Sequence, residues 1–306
     1  MTTTGVGILY NGSLGPLLAE YRHALDFVSV IPERFWNDLG RGTNPRFVPL
    51  PDEVAALDEL VSSFTIVAHG IGLSIGSGST FDVEHVNYLA NWHRRYHFSW
   101  ISEHLAAVRV RTGATPDHHA GLALPLPWDQ EVLDMLCDRV MQAQDILETQ
   151  LILENGVVHT PVPDTDMTEA EFLNALCART GCGVLLDLHN VHVNAVNLGI
   201  DAKQFIQMVN LANVREIHIA GGNELYGIYL DSHAGPCPSE VWQLLDFVLP
   251  LCPNLRGVTF EFHESYYPKL RDSGILLELE RTRRAVDRSQ GKSLCHSPNS
   301  NVPLPT

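Results

Sequence analysis

Short apolar segments alternate with segments of helical spacing along almost the whole chain, and this alternation constrains the fold more than any other feature. The eight apolar segments, interpreted as strands, are residues 6–10, 26–31, 64–68, 98–101, 151–153, 183–186, 214–219 and 258–260. The segments with helical spacing are 14–24, 53–62, 82–96, 129–148, 169–180, 202–211, 238–249 and 275–286. Strands that alternate with helices are typical of a parallel sheet, and eight such units predict a single-domain (β/α)8 TIM barrel of the α/β class.

The domain organisation follows from the same pattern. No linker divides residues 1–288, so we expect one barrel domain there. The tail 289–306 is rich in Ser, Asn and Pro and is predicted to be disordered. The segment 111–128, which carries His118 and His119, is predicted to be a long loop.

The acidic composition narrows the range of partners. The 306 residues carry a formal net charge of −16 at pH 7, with a pI near 5.3. Nucleic-acid backbones and anionic membranes are bound mainly through Lys and Arg, so neither a nucleic acid nor a membrane is expected as a partner. The 15 histidines exceed what folding requires and indicate a chemical role.

A cytoplasmic location is expected from two further features. The chain has no apolar run of 18 residues, and its N-terminus lacks a basic region followed by a long apolar core. The six cysteines form no CxxC pair and are predicted to be reduced, scattered thiols. They are Cys137, Cys177, Cys182, Cys237, Cys252 and Cys295.

Side chains that can bind metals close six consecutive predicted strands, from the third to the eighth. In chain order they are His69, His104, Glu154, Asp187, His218 and Glu261, and Asp231 and His233 follow in the loop after the seventh strand. Any one of them alone is more often a helix cap or a satisfied polar group than a ligand. The C-terminal ends of barrel strands, however, meet at one mouth, so eight such residues together predict a metal site.

The residue types indicate which metals are suitable. Imidazoles and carboxylates without thiolates suit Fe, Mn or Zn, and their number exceeds what one ion needs. If the segment after the seventh strand is extended, Asp231 and His233 also face the same way. Two or three ions bridged by a carboxylate are therefore predicted.

The same positions lie in short motifs that occur together in a known family. The motifs are HGIGLS (69–74), SEH (102–104), LEN (153–155), LDLHN (186–190) with VNA (193–195), IHIAG (217–221), DSH (231–233) with EVW (240–242), and FE (260–261). Each motif is weak alone, but the ordered set resembles the multinuclear non-heme iron-dependent oxidative enzymes, which include enzymes of methanobactin and thiaglutamate biosynthesis. The resemblance extends from residue 6 to about residue 270.

This resemblance implies a barrel that holds two or three irons as Fe2+ or Fe3+, with O2 as co-substrate. The implied ligand sets are His69, His104 and Glu154 for one iron, Glu154, Asp187, His218 and Glu261 for a second, and Asn190, Asp231 and His233 for a third. Glu154 is then the bridge between the first two irons. Glu154, Asp187 and His218 are the catalytic residues that follow from this placement.

The resemblance also implies the reaction and the partners. Family members oxidise a residue, typically a cysteine, in a ribosomally synthesised peptide during natural-product biosynthesis. Iron with nitrogen and oxygen ligands and an open position suits such chemistry. The expected partners are a ribosomal precursor peptide and a separate protein that binds its leader, because the barrel occupies nearly the whole chain.

The sequence departs from the family pattern after the sixth strand. His189 and His192 stand where the family usually carries Asn and a Tyr-like residue, and Gly156 follows Asn155 where Ser is common. The two histidines can add a ligand, alter substrate contacts or be surface polar groups, and the sequence does not choose among these.

Two other functions remain open at this level. A metal-dependent barrel enzyme of the xylose-isomerase or abasic-site endonuclease type would use similar residues with Zn or Mn, although the acidic charge disfavours the endonuclease. A non-catalytic metal-binding barrel is the other alternative. Metal identity tests the first, and oxygen consumption in the presence of a peptide tests the second.

Overall fold

Eight parallel strands form a closed barrel in the computed structural model, which describes residues 4–78, 81–110, 118–163 and 165–291. The barrel strands are β1 (Gly5–Leu9), β2 (Phe27–Val30), β3 (Thr65–Gly70), β4 (Ile101–His104), β5 (Leu151–Glu154), β6 (Gly183–Asp187), β7 (Val214–Ala220) and β8 (Gly257–Glu261). Strands adjacent in sequence are adjacent in the barrel, and β8 closes it by pairing with β1. The predicted single-domain TIM barrel is therefore confirmed.

Helices connect the strands and pack outside them. The described α-helices are α1 (Gly15–Glu20), α2 (Pro51–Ser63), α3 (Val83–Tyr96), α4 (Gln130–Leu147), α5 (Glu169–Thr180), α6 (Leu188–Leu198), α7 (Ala202–Met208), α8 (Ser239–Val248) and α9 (Tyr267–Ser289). Short 3-10 helices lie at Gly12–Leu14, Arg22–Ala24, Pro32–Phe35, Leu211–Asn213, Leu249–Leu251 and Glu264–Tyr266. Apolar side chains between the strands and this outer layer form the larger of two hydrophobic clusters.

Three β-hairpins lie in the connections that leave the C-terminal ends of β2, β4 and β7, at the mouth of the barrel. They pair Trp36–Asp38 with Phe47–Pro49, Ala107–Val110 with His118–Leu124, and Asn223–Leu225 with Ile228–Leu230. The second hairpin corrects part of the predicted long loop over 111–128, because residues 118–124 form a strand; residues 111–117 lie outside the described residues. The side chains of His118 and His119 lie outside the described residues.

The barrel interior is apolar at its N-terminal end. Phe27, Val67, Trp100, Ile152 and Leu185 form the second hydrophobic cluster. Gly7 and Gly257 make room for it, since a Cβ on either would overlap the Phe27 ring. Polar side chains lie between this apolar layer and the mouth, so the candidate site is closed from below by apolar side chains.

The elements differ from the predicted ones in three places. The sequence did not predict α6, because this helix starts directly after β6 with no intervening turn. The predicted helix over 14–24 is broken into α1 and flanking 3-10 turns. The last helix begins at Tyr267 rather than at residue 275, and Arg271, with φ of 52°, interrupts its first turns.

Two further predictions concern the tail and the cysteines. Most of the predicted disordered tail, from residue 292 onward, lies outside the described residues, as does Cys295. The other five cysteines are free and buried. Cys177 and Cys182 are not scattered, because their sulfur atoms lie 3.6 Å apart. None of the helices in the described part of the chain combines the length and apolarity that a membrane span requires.

Candidate metal centre

The predicted ligands meet at the mouth of the barrel. Each strand from β3 to β8 contributes one, and these are His69, His104, Glu154, Asp187, His218 and Glu261. All are buried except His104, whose side chain is 32% exposed and faces the open side of the mouth. The parallel strands produce this convergence, because their C-terminal ends lie at the same end of the barrel.

A first cluster joins β3, β4 and β5. Nε2 of His69 and Nε2 of His104 lie 3.5 Å and 3.3 Å from Oε2 of Glu154. The Nδ1 atoms of both rings have other hydrogen-bond partners. Nδ1 of His104 lies 3.1 Å from the carbonyl oxygen of Gly70, and Nδ1 of His69 lies 3.0 Å from Oγ of Ser102. Both rings therefore direct Nε2 towards the same carboxylate.

A second cluster consists of Glu154, Asp187 and His218, whose potential ligand atoms lie within 4.8 Å of one another. The two carboxylate oxygens of Asp187 have different surroundings. Its Oδ1 accepts a hydrogen bond from the backbone N–H of Asn190 and caps α6, while its Oδ2 is buried without a hydrogen-bond partner. A capping role and a ligand role for Asp187 are thus compatible, since each uses a different oxygen.

A third cluster links the first two to β8. The potential ligand atoms of His69, His218 and Glu261 also lie within 4.8 Å of one another. Nδ1 of His218 is 3.2 Å from Oε1 of Glu261. Since His69, His218 and Glu154 each belong to two clusters, the structure has one continuous centre rather than separate sites.

Asp231 and His233 complete the centre from the β7–α8 connection. Nε2 of His233 lies 3.1 Å from Oδ1 of Asp231 and 3.5 Å from Oε2 of Glu261. The sequence placed both side chains on one face if the segment is extended; the structure brings them together with a bend instead, since φ at His233 is 50°. Gly221 permits the bend, since a Cβ there would lie 2.8 Å from the carbonyl oxygen of Gly235.

Asn190 contacts the centre from the start of α6 and lines the same cavity as Asp231. Its Nδ2 donates to Oε1 of Glu154 at 3.1 Å and to the carbonyl oxygen of Asn155 at 3.0 Å. The Oδ1 atom of Asn190 is buried without a hydrogen-bond partner. The resemblance implies Asn190, Asp231 and His233 as one ligand set. The structure places Asp231 against His233, while Asn190 contacts Glu154, which belongs to the other two sets.

Burial and negative charge raise the pKa of two central carboxyl groups. Burial, with the nearby Asp187 carboxylate, raises the pKa of Glu154 well above its ordinary value. Burial, with the nearby Asp231 carboxylate, raises the pKa of Asp187. Both ionised forms are disfavoured in a dry site among like charges, and a bound cation would relieve that penalty.

The pKa values of the other groups reflect specific partners. Burial alone would lower the pKa of His233, but the carboxylates of Asp231 and Glu261 raise it to about 10. Burial alone would raise the pKa of Glu261, but His218 and His233 lower it well below its ordinary range. Burial, with His104 nearby, lowers the pKa of His69 well below its ordinary value, which favours the neutral imidazole that metals require.

Unsatisfied ligand atoms show that the residues fit a bound cation. Five buried atoms of the centre make no hydrogen bond to the described residues: Oε2 of Glu154, Oδ2 of Asp187, Oδ1 of Asn190, Nδ1 of His218 and Oε1 of Glu261. The last two lie close together but without hydrogen-bond geometry. Buried polar atoms are rarely left unpaired, and each one costs free energy. Metal ions would satisfy all five through nitrogen and oxygen donors.

Sequence reasoning missed two residues that support the centre and left the role of a third, His189, open. Glu216 and Ser102 lie beneath the predicted ligands and bind His218 and His69. The signal for Glu216 in the sequence is its polarity in an apolar strand, two positions before His218 and on the same face, but its role depends on contacts that only the structure shows. His189 is completely buried, with Nδ1 2.8 Å from Oδ1 of Asp231, so it is not a surface polar group. His192 is half-buried and packs on Tyr229.

A cavity of about 100 Å³ opens beside the centre. His104, Glu154, Asn190 and Asp231 line its floor, and Leu124 and Trp128 are among the residues that line it on the apolar side. Trp128 also lines a larger groove of about 510 Å³, between the β5–α5 connection and α7. The centre is therefore accessible from one side, through a mixed polar and apolar surface.

Several bacterial proteins are similar in sequence to this chain over most of its length. The chain is 34% identical to a UPF0276 protein of Rhizorhabdus wittichii over 223 residues, covering 73% of this chain and 74% of the relative. It is 32% identical to a UPF0276 protein of Chromobacterium violaceum over 241 residues, covering 79% and 82%.

Solved structures show the fold. An IOLI protein with a bound zinc atom superposes with a TM-score of 0.57 at 14% identity, covering 94% of this chain and 98% of that one. A D-psicose 3-epimerase of Clostridium cellulolyticum with D-tagatose superposes with a TM-score of 0.56 at 12% identity, covering 95% and 100%. At these identities the likeness concerns the barrel alone.

The family assignment comes from a model of a whole protein family. The family is described as the RiPP precursor modification enzymes MbnB/TglH/ChrH, and its model matches residues 5–286, which include the complete barrel and every side chain of the centre. The chain belongs to this family of enzymes that modify ribosomally synthesised precursor peptides.

Proposed function

We propose that this enzyme uses two or three non-heme irons and O2 to oxidise a cysteine in a ribosomal precursor peptide. The observation that carries the proposal is the convergence of six potential ligands at the strand ends, with Asn190, Asp231 and His233 in contact with them, and with five atoms of this set buried and unsatisfied among the described residues. Family membership supports the precursor peptide as substrate. The donor set supports iron, because it offers imidazole and carboxylate ligands and no thiolate.

The described clusters indicate which residues would hold the metals. His69, His104 and Glu154 would hold one ion, and Glu154, Asp187 and His218 a second, with Glu261 reaching the second from β8. Asp231 and His233, together with Asn190, would hold a third. When bound, iron supplies the one-electron chemistry and the affinity for O2 that the side chains lack.

The protein's own residues prepare the site for that chemistry. Hydrogen bonds fix the two imidazole rings, from His69 to Ser102 and from His104 to the carbonyl oxygen of Gly70. Nε2 of each ring therefore faces the centre. Burial beneath the mouth excludes water from most ligand atoms. His104 and Asp231, which are partly exposed, mark the side from which a substrate approaches.

The size of the surrounding space favours a peptide over a small free ligand. The cavity of about 100 Å³ next to Glu154 is suited to a single small side chain such as that of cysteine. The adjoining groove of about 510 Å³, with Val158, Met167 and Phe205 in its lining, offers apolar surface for the residues that flank it. A separate protein that binds the leader peptide would present the substrate, as the family resemblance implies.

The test is mass spectrometry of a precursor peptide after aerobic incubation with iron-loaded enzyme and its partner protein. We expect a mass change that maps to one cysteine and that requires O2. A matched Cys→Ser peptide should stay unmodified, and the His69→Ala enzyme should leave the cysteine peptide unmodified. Equal oxidation of the Ser peptide would contradict a cysteine target, and full activity with zinc alone would contradict an iron centre.

A further inference from the structure

Glu216 is a completely buried carboxylate inside the barrel, one layer beneath the metal centre. Every hydrogen bond described for it comes from a side chain. Oε1 accepts from Oγ1 of Thr259 at 2.7 Å and lies 3.1 Å from Nε2 of His218. Oε2 accepts from Nε1 of Trp100 at 2.8 Å and lies 3.3 Å from Oγ of Ser102. A carboxylate buried at this depth is costly unless hydrogen bonds satisfy its oxygens, and both oxygens of Glu216 have such partners.

Its position explains how one carboxylate reaches two ligands of the centre. Glu216 precedes His218 by two residues on β7, so both side chains face the barrel interior. Ser102 lies on β4, where it pairs with His69 of the adjacent strand β3 in the strand register. Glu216 therefore contacts His218 directly and His69 through Ser102.

The contact with His218 determines which ring nitrogen is free. A neutral imidazole has one N–H donor and one acceptor nitrogen. In the neutral form that a metal ligand requires, His218 donates its one N–H from Nε2 to the Glu216 carboxylate, and its Nδ1 lone pair is left for the centre. Nδ1 is the atom that lies 3.2 Å from Glu261 and has no hydrogen-bond partner.

The contact through Ser102 acts on His69 in the same way. The Ser102 hydroxyl has one proton, and both candidate acceptors, the Glu216 carboxylate and the Ala68 carbonyl, lie 3.3 Å away. When this proton is donated to either of them, Oγ accepts from Nδ1 of His69 at 3.0 Å. Nε2 of His69 is then free to face Glu154.

We propose that Glu216 is a positioning residue that fixes the tautomers of His218 and His69, and so presents Nδ1 of the first and Nε2 of the second to the metals. This inference rests on the proposed metal centre and deepens it. Outer carboxylates that orient ligating histidines raise ligand basicity, and their loss typically lowers metal affinity on the order of 10- to 100-fold.

Replacement by glutamine gives a specific expectation, because Trp100 can only donate. In Glu216→Gln the amide oxygen must face Nε1 of Trp100, which places the amide NH2 group against Nε2 of His218. His218 must then accept at Nε2 and carry its proton on Nδ1, facing the centre. The variant should therefore lose the His218 ligand while the side-chain volume stays the same.

The experiment is titration of the metal-free full chain with Co2+, followed by visible absorbance and by competition with a chelator. We expect Glu216→Gln to bind the Co2+ ion nearest His218 on the order of 10- to 100-fold more weakly than the parent protein. Ser29→Ala is the matched control, since Ser29 lies buried in the same barrel and its Oγ has no hydrogen-bond partner among the described residues. Circular dichroism confirms that each variant folds.

A second substitution separates positioning from simple damage to the core. In Glu216→Gln combined with Trp100→Phe, the donor that fixes the amide is absent, so the amide oxygen can turn towards His218. We expect Co2+ affinity in the double variant to recover towards that of Trp100→Phe alone. Equal Co2+ affinity in Glu216→Gln and the parent, or no recovery in the double variant, would overturn the inference. If the parent protein binds no Co2+, the proposed metal centre itself fails.

Discussion

Replacing Glu154 with glutamine tests whether one carboxylate serves two metal positions. Oε2 of Glu154 faces Nε2 of His69 and of His104, and the same side chain belongs to the cluster with Asp187 and His218. Glutamine keeps the size of the side chain but has a single neutral acceptor oxygen. Since Nδ2 of Asn190 donates to the other carboxylate oxygen, the amide oxygen should turn towards Asn190 and present its NH2 group to the histidines.

The expected loss can be worked out from the number of ligands. A four-ligand structural zinc site is worth roughly 10–16 kcal/mol, so one ligand is worth ~3 kcal/mol, or roughly 100-fold in affinity. A bridging Glu154 applies this loss at two positions, so two metals should be depleted together. A Glu154 that binds one metal would deplete only that metal and leave the second cluster loaded.

The assay is the metal content per chain after identical anaerobic loading, measured by inductively coupled plasma mass spectrometry, together with peptide turnover. Glu169→Gln is the control, because Glu169 accepts from the backbone N–H of Gly156 just beyond β5 and belongs to none of the described clusters. We expect Glu154→Gln to lose metal at two positions and to be inactive, while Glu169→Gln keeps both metals. Loss of a single metal with turnover intact would refute the bridge.

Three further predictions address the edges of the centre. His189→Asn should keep a donor near Asp231 and retain metal content. His189→Leu should lower the metal content, because Asp231 then loses its buried hydrogen-bond partner. Equal metal content in the two variants would contradict a role of His189 in holding Asp231. Gly221→Ala should weaken metal binding at His233 alone, since the added Cβ displaces the bend that places that ring; an unchanged Co2+ spectrum would count against it. Metal binding at pH 7 should release protons and weaken as pH falls, because the pKa of Glu154 is raised and that of His233 is about 10, so protons compete with the cation. Calorimetry in buffers of different ionisation enthalpy measures the release, and a heat independent of the buffer would contradict it.

The barrel could be predicted from the sequence because each of its strands has a local signal. An apolar segment such as 214–219 is followed by a turn and then by a segment of helical spacing, and the order repeats eight times. The convergence of the candidate ligands followed directly, since parallel strands bring residues such as His69 and Glu261 to the same end of the barrel. Neither inference required knowledge of which side chains touch.

The parts that could not be predicted depend on contacts between residues distant in sequence. The strand His118–Leu124 is stabilised by pairing with Ala107–Val110. The sequence of residues 111–128 alone therefore indicated only a loop. The bend at His233 depends on the close approach of Gly221 to the Gly235 carbonyl, which no periodicity reveals.

The polar groups beneath the ligands show the same limit. Glu216 is one residue in an apolar strand, and its role appears only when Trp100, Ser102 and Thr259 are seen to surround it. His189 could equally have been a ligand, a substrate contact or a surface group until its burial and its hydrogen bond to Asp231 were known.

The measurement that tests the central claim most directly is the iron content of the protein purified anaerobically from cells supplied with iron. The nine converging candidate ligands predict about two or three irons per chain, because their number exceeds the needs of one ion. His218→Ala should fold normally and hold less iron than the parent. A folded parent protein that contains only zinc, and that stays inactive towards the precursor peptide after iron loading, would contradict the claim.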